Sequence, residues 1–323
     1  MATELELKLM VQPEYLKSAC AFLDAFCEKN SSDQDTSSQS SRQATLDLMN
    51  GYYDTANALL LENGIALRIR AVNREYIQTV KTRGSSRVGM HARGEWEWQV
   101  HSDALDLTLL SDVPLPEPLQ DMQWSRDLIE VFRTDFQRHV WLIHHQSAVI
   151  EVVCDEGEVS SAYGRDSICE LELELKSGNE GALYEFAHLI AQQVPVQVSV
   201  VSKAQKGSRL KHRRIEFPKK PSAQDSLLSF AEYWYETWLV YWEAMFYLKD
   251  EALLQPIRSA VYQLKQCVPE ELSKQLEALD QCYDNLFKVD KSGLLERLAG
   301  KAETGIMMLA TGQWLNQQLD RPV

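Results

Sequence analysis

The segment MATELELKLM (residues 1–10) sets Glu4, Glu6 and Lys8 two residues apart, with Leu5, Leu7 and Leu9 between them. Successive side chains of a strand point to opposite faces, so this spacing puts two acids and a base on one face and only leucine on the other. The arrangement recurs. GIALRIRAV (64–72) alternates Arg68 and Arg70 with Leu67 and Ile69, and HARGEWEWQV (91–100) places Arg93, Glu95 and Glu97 opposite Trp96 and Trp98. ICELELELK (168–176) sets Glu170, Glu172 and Glu174 against Leu171, Leu173 and Leu175. Lys81 in IQTVKTR, Arg138 in TDFQRHVW, and Glu151 with Asp155 in VIEVVCDEGE extend the pattern.

An antiparallel sheet with one solvated face gives the same alternation, and for any single strand that is the plainer reading. Two features of the set argue for more. Carboxylates repeated at i and i+2 on one strand repel unless something neutralises them. Both signs also recur on five or more strands, so closing the sheet gathers acids and bases in one lumen, where an unpaired charge costs several kcal/mol.

Period-two alternation predicts strands near 3–11, 43–53, 64–73, 75–83, 91–100, 134–145, 147–155 and 167–176. The expected fold is α+β: an eight-stranded antiparallel barrel, a tunnel, with flanking helices near 13–27 and 180–193, followed by a small all-α domain. EKNSSDQDTSSQSS (28–41), poor in apolar residues, reads as a mobile loop. The basic, Pro-punctuated stretch 206–226 reads as a linker, dividing the chain into 1–205, the linker and a helical 227–323. A polar linker predicts a barrel that stands without the bundle. Beyond 227, Phe230, Trp234, Trp238, Trp242 and Met245 recur at helical spacing, as do Leu272, Leu276, Leu279 and Leu286. That stripe is read as bundle core.

The 323 residues carry a formal charge of −14, and residues 221–323 hold nine basic residues against fifteen acids. Neither half is basic, which disfavours nucleic acid or an anionic membrane as partner. Six cysteines without C-x-x-C spacing read as reduced thiols, and the first residues lack the apolar run of a signal peptide. The chain is expected to be cytoplasmic.

A barrel of about eight strands leaves a lumen for one small ligand. Clustered carboxylates suit a hard divalent cation, and clustered Lys and Arg suit phosphate oxygens. A phosphate chain bridged by Mg²⁺ or Mn²⁺ satisfies both.

In this light residues 1–205 resemble the CYTH domain of the triphosphate tunnel metalloenzymes, which include inorganic triphosphatases, thiamine triphosphatases and class IV adenylate cyclases. The opening E-x-E-x-K motif matches Glu4, Glu6 and Lys8; the R-x-R strand matches Arg68 and Arg70; the lysine after it matches Lys81. The R-x-E motif matches Arg93 and Glu95. The later arginine falls on Arg138, the strand-ending acid on Asp155, the E-x-E pair on Glu170 and Glu172, and the late lysine on Lys203 in VVSKAQKG. YYDT, GIALRIR, TDFQR, ICELELEL and SKA are most similar to the bacterial inorganic triphosphatases.

The resemblance implies metal-dependent hydrolysis of inorganic triphosphate, or of short polyphosphate, to pyrophosphate and phosphate. It assigns Lys8, Arg68, Arg70, Lys81, Arg138 and Lys203 to holding the phosphates and offsetting their charge, with Arg93 among the substrate-binding residues. It assigns Glu4, Glu6, Asp155, Glu170 and Glu172 to the metal, and Glu95 either to the metal or to Arg93. Glu97, Glu151 and Glu174 read as ion-pair partners beside the site. His144 and His145, being adjacent, point to opposite sides of a strand and receive no chemistry. Thiamine triphosphatase, adenylate cyclase and a non-catalytic polyphosphate or nucleotide sensor are the alternatives. In the bacterial proteins a helical CHAD domain, rich in histidine and basic residues, usually follows. Here the tail is acidic, all seven histidines lie at or before His212, and the sequence names no partner for it.

Overall fold

The computed structural model describes residues 2–30, 39–82, 85–87, 89–213, 215–289 and 293–319. Most of the segment read as a mobile loop, 31–38, lies outside the described residues. Strands β1 (Ala2–Val11), β2 (Ser41–Thr55), β3 (Ile65–Val72), β4 (Glu75–Thr82), β5 (Ser85–Arg87), β6 (Met90–Val100), β7 (Leu128–His145), β8 (Ala148–Ser161), β9 (Gly164–Ser177) and β10 (Val196–Ser199) form one sheet.

Eight of them close into a ring, in the order β1, β9, β8, β7, β2, β3, β4, β6 and back to β1, every pairing antiparallel. These are the eight strands read from the sequence. The two short additions are β5, paired to β6, and β10, paired to β1. Along one edge β1 pairs with β6 over residues 2–7 and with β10 over 8–11, while its other edge carries β9.

The barrel is polar within and apolar without, as the alternation requires. Leu7 and Leu9 of β1, Leu171 and Leu173 of β9, Val152 of β8 and Trp141 of β7 point outward and are wholly buried. Helices α1 (Pro13–Asn30) and α3 (Gly181–Ala191) cover them, the first with Leu16, Ala19 and Leu23, the second with Phe186 and Ile190. Burying one such leucine stabilises the fold by roughly 2 kcal/mol. On the other flank Leu67 and Val80, with Trp96 and Trp98, pack against three short 3-10 turns between residues 107 and 127 that supply Leu110, Leu119 and Trp124. The short α2 (Leu59–Glu62) follows β2, where Asp54 accepts backbone N–H groups of Leu60 and Leu61 at 2.8 and 3.0 Å.

Helix α4 (Lys203–His212) starts at a capping box of Ser202 and Gln205, so its first residue has a fixed direction. It lies against β7, β8 and β9, and Gly207 makes that approach possible, because a Cβ there would run into the Phe132 ring. The first residues read as linker, 206–212, therefore belong to this helix.

Helices α5 (Leu227–Leu248), α6 (Leu254–Lys265), α7 (Glu270–Val289), α8 (Leu294–Ala299) and α9 (Ala302–Leu319) follow. The aromatic stripe of α5 is core: Trp238, Trp242 and Met245 are fully buried. That core is continuous with the covered outer face of the barrel, one cluster running from Leu7 and Leu171 to Trp238, Leu276 and Met308. Gln197 of β10 donates to the Ala299 carbonyl at 3.0 Å, and Gly305 of α9 faces the Val196 carbonyl so closely that no Cβ would fit. Among the described residues no helix is long and apolar enough to cross a membrane, and all six cysteines are free thiols.

Candidate functional site

The inward faces meet in a cavity of about 360 Å³ whose lining includes Glu6, Lys8, Arg68, Arg70, Lys81, Glu95, Arg138, Glu172 and Lys203. Register explains why these side chains meet. Lys8 stands opposite Glu172, Lys81 opposite Glu95, Arg138 opposite Asp155, and Asp155 opposite Glu170, each pair across neighbouring strands. Lys203 arrives differently, as the first residue of α4.

Two charged regions result. At the floor, Lys203 Nζ bonds to Asp155 and Glu170 at 2.6 Å each and to Glu172 at 3.0 Å. Lys8 Nζ bonds Glu172 and lies 3.3 Å from Glu170. Arg138 bonds Asp155 at 2.7 and 2.8 Å and Glu172 at 2.8 Å. Asp155 and Glu170 sit beneath the lining, 0% and 1% exposed, while Glu172 reaches the cavity. Burial acts to lower the pKa of Lys8, but Glu170, Glu172 and Glu6 outweigh it and hold the ammonium well above its usual value. Burial likewise acts to raise both glutamates, and Lys203 and Lys8 overcome it, taking Glu170 down to about 2 and Glu172 well below the carboxylate range.

Among the described residues the pairs on the opposite wall are longer. Lys81 lies 3.3 Å from Glu95, and Arg68 lies 3.8 and 3.9 Å from Glu95 and Glu97. Arg70 reaches Glu97 only at 4.0 Å, its Nε donating to the neutral Asn50 Oδ1 at 3.1 Å. Burial, then the neighbouring Arg68 and Arg138, pull the pKa of Arg70 down to about 10, so this guanidinium gains from any added anion.

Glu4 and Arg93 stand in register across β1 and β6, but their side chains lie outside the described set. The lining adds residues the sequence reading did not place in the site. Tyr52, whose hydroxyl accepts from Arg68 at 3.4 Å, and Thr79 are neutral positions that carried no charge signal. Lys176, bonded to Glu151 and Glu174 at 3.2 and 2.8 Å, was legible as the next inward step after Glu170, Glu172 and Glu174. Lys206, 3.7 Å from Glu170, follows Lys203 by one helical turn. His145 lies near Glu185 of α3, outside the barrel.

Asp155, Glu170 and Glu172 bring carboxylate oxygens within 4.8 Å of one another. An all-oxygen anionic set suits a hard divalent ion. The ammonium of Lys203 already bonds all three, so the cluster holds a cation as built.

The CYTH domain family model matches residues 2–208. An inorganic triphosphatase of Haemophilus influenzae is 31% identical over 212 residues, covering 64% of this chain and 54% of the relative. The chain thus spans about half the length of that relative. Among solved structures, an adenylyl cyclase candidate from Hippeastrum, described as having a dominant triphosphatase activity, is 18% identical with a TM-score of 0.41, covering 65% of this chain and 99% of its own. An adenylate cyclase candidate from Bacillus halodurans is 16% identical with a TM-score of 0.41, covering 64% and 98%.

Proposed function

The chain belongs to the CYTH domain family, and on that premise we propose that it hydrolyses inorganic triphosphate to pyrophosphate and phosphate within the barrel. The observation that carries the reading is Arg70: a half-buried guanidinium beside two other cations, its nearest carboxylate among the described residues Glu97 at 4.0 Å, on the wall of a lumen lined by further Lys and Arg side chains. Phosphoryl transfer needs mainly positioning and charge stabilisation, and a fixed cationic wall provides both.

In this reading Arg68, Arg70 and Lys81 hold the phosphate chain against β3 and β4, and Arg93 belongs to the same wall by sequence. Lys8, Arg138 and Lys203 approach it from the floor and offset charge on the phosphoryl oxygens. Glu6 and Glu172, which line the cavity, with Glu170, Asp155, Glu4 and Glu95, would hold Mg²⁺ or Mn²⁺. Such an ion supplies charge neutralisation at substrate oxygens and a more acidic water. Water adds its oxygen to a terminal phosphorus, the phosphoanhydride bond breaks, pyrophosphate leaves with the electron pair, and the proton the water gives up passes to the released phosphates or to solvent.

Organic triphosphates need space for a base or thiamine ring. Among the described residues the lining of the lumen is mostly charged, with Tyr52 and Phe136 its aromatic rings, which favours the inorganic chain. The test is phosphate release from triphosphate, ATP, thiamine triphosphate and long polyphosphate, with Mg²⁺ or Mn²⁺. A kcat/KM for either organic substrate equal to that for triphosphate overturns the proposal.

A further inference from the structure

Lys203 reaches the lumen from a turn that the barrel itself barely holds. β10 ends at Ser199, and residues 200–202 have no sheet partner before α4 begins. The turn is held from outside. Glu243 of α5, only 5% exposed, accepts the Ser199 hydroxyl at 3.0 Å with one oxygen and the Val200 N–H at 3.0 Å with the other. One turn further along α5, the Tyr247 hydroxyl donates to the Arg209 carbonyl at 3.0 Å, and the Arg209 guanidinium lies 5.3 Å over the Tyr247 ring. α5 therefore grips α4 before its start and near its end.

Glu243 is an expensive choice for packing alone. A carboxyl in this setting is penalised by burial, which pushes its pKa up against the pull of Arg209 and Lys206, and an apolar side chain would fill the same space without that cost. What the carboxylate alone supplies is two acceptors at fixed positions, matching two donors on the turn that carries Lys203. The alignment matters because Lys203 makes three contacts of 3.0 Å or less on a cluster fixed to β8 and β9, and displacement of such a group by about 1 Å costs on the order of a hundredfold in rate.

We propose that the helical tail serves the lumen through Glu243, a positioning residue that sets the β10–α4 turn and with it the Lys203 ammonium on the Asp155, Glu170 and Glu172 cluster. The proposal rests on the triphosphatase reading for its kinetic consequence and on geometry alone for its structural one. Glu243→Gln preserves an acceptor for Val200 and a donor for the Ser199 hydroxyl, whereas Glu243→Ala removes both contacts. Ser199→Ala removes one from the barrel side and leaves α5 untouched.

The test uses the full chain and two readouts. In hydrogen exchange, amides of residues 203–210 are expected to lose protection in Glu243→Ala and partly in Ser199→Ala, with those of α1 and β2 unchanged. In triphosphate hydrolysis, kcat/KM is expected to fall about tenfold in Glu243→Ala and by less than about threefold in Glu243→Gln; in a Lys203→Gln background, Glu243→Ala should change it by less than about twofold. Unchanged exchange in α4 in both Glu243→Ala and Ser199→Ala overturns the proposal, as does a full, additive loss in the Lys203→Gln background. A wild-type chain inert on triphosphate removes the reaction, and the exchange result then decides the Glu243 hold by itself.

Discussion

Arg138 on β7 and Asp155 on β8 stand directly opposite each other and close a two-point pair, Nε to Oδ1 at 2.8 Å and Nη2 to Oδ2 at 2.7 Å. Asp155 is wholly buried and also accepts from Lys203, so its charge is already committed to two protein cations. Removing that charge leaves Arg138 to Glu172 and Lys203 to Glu170 and Glu172, and the buried side of Arg138 unmatched. Asp155→Asn should therefore lose stability by about 3–5 kcal/mol, the usual cost of breaking a buried pair from one side. Denaturant unfolding measures it, and a variant as stable as the wild type contradicts the account.

Arg70→Gln is expected to act in the opposite sense on stability. The guanidinium is half-buried beside Arg68 and Arg138 and poorly neutralised, so its removal should leave the melting temperature unchanged or raised. Triphosphate should lose a partner at the same time, raising KM about tenfold or more, as expected for a charged hydrogen bond. A raised KM with a lowered melting temperature would point to a structural role instead.

The proposed metal dependence rests on the acidic set that lines and underlies the cavity. Turnover should cease in chelator and return with Mg²⁺ or Mn²⁺. Glu172→Gln, which conserves shape and removes one charge, should reduce metal-dependent turnover by orders of magnitude while far-ultraviolet circular dichroism stays unchanged. Full activity in chelator would exclude a metal-assisted reaction.

The floor also sets an acid limit. Glu170 and Glu172 have folded pKa values below their unfolded ones, held there by Lys203 and Lys8 against burial. Their contribution is present above the unfolded value of about 4.3 and is lost as pH falls, toward about 2 for Glu170 and further down for Glu172. Melting temperatures between pH 7 and pH 2 should decline most steeply in that interval. Glu172→Gln should flatten the decline, and an unaltered slope would mean that other carboxylates govern acid unfolding.

Ending the chain after Pro221 removes α5 to α9, and with them the cover over Val196 and Val198 of β10. The shortened protein should be less stable than the full chain and expose enough apolar surface to bind a hydrophobic dye. A truncated barrel with a wild-type melting temperature would show that the polar stretch before α5 is a boundary between independent units.

The charged interior was legible because its signal is local: period two decides the face of every residue in ELELK, ALRIR and ELELELK, and the registers then bring Lys8 to Glu172 and Arg138 to Asp155. The relation of the tail to the barrel was not. Leu7 and Leu171 look the same in sequence whether α3 or α9 covers them, and the α5 stripe fits a self-contained bundle as well as a shared core. α4 was hidden by its own chemistry, since KGSRLKHRR is basic and lacks an apolar period, yet a capping box and Gly207 seat it against Phe132. Neutral Tyr52, Asn50 and Thr79 entered the site through register alone.

The three neighbours of β1 have a bearing on assembly. β1, which precedes the other barrel strands in sequence, pairs with β6, β9 and β10, and its Lys8 meets Glu170 across 162 residues of chain. Contacts so distant in sequence are slow to form, because the intervening loop must be closed before they repay it. During synthesis β1 therefore has β6 on part of one edge but nothing on the other until β9 emerges. The charges on its inner face bear on that interval as well, since charged side chains on a bare strand discourage pairing with a second nascent copy.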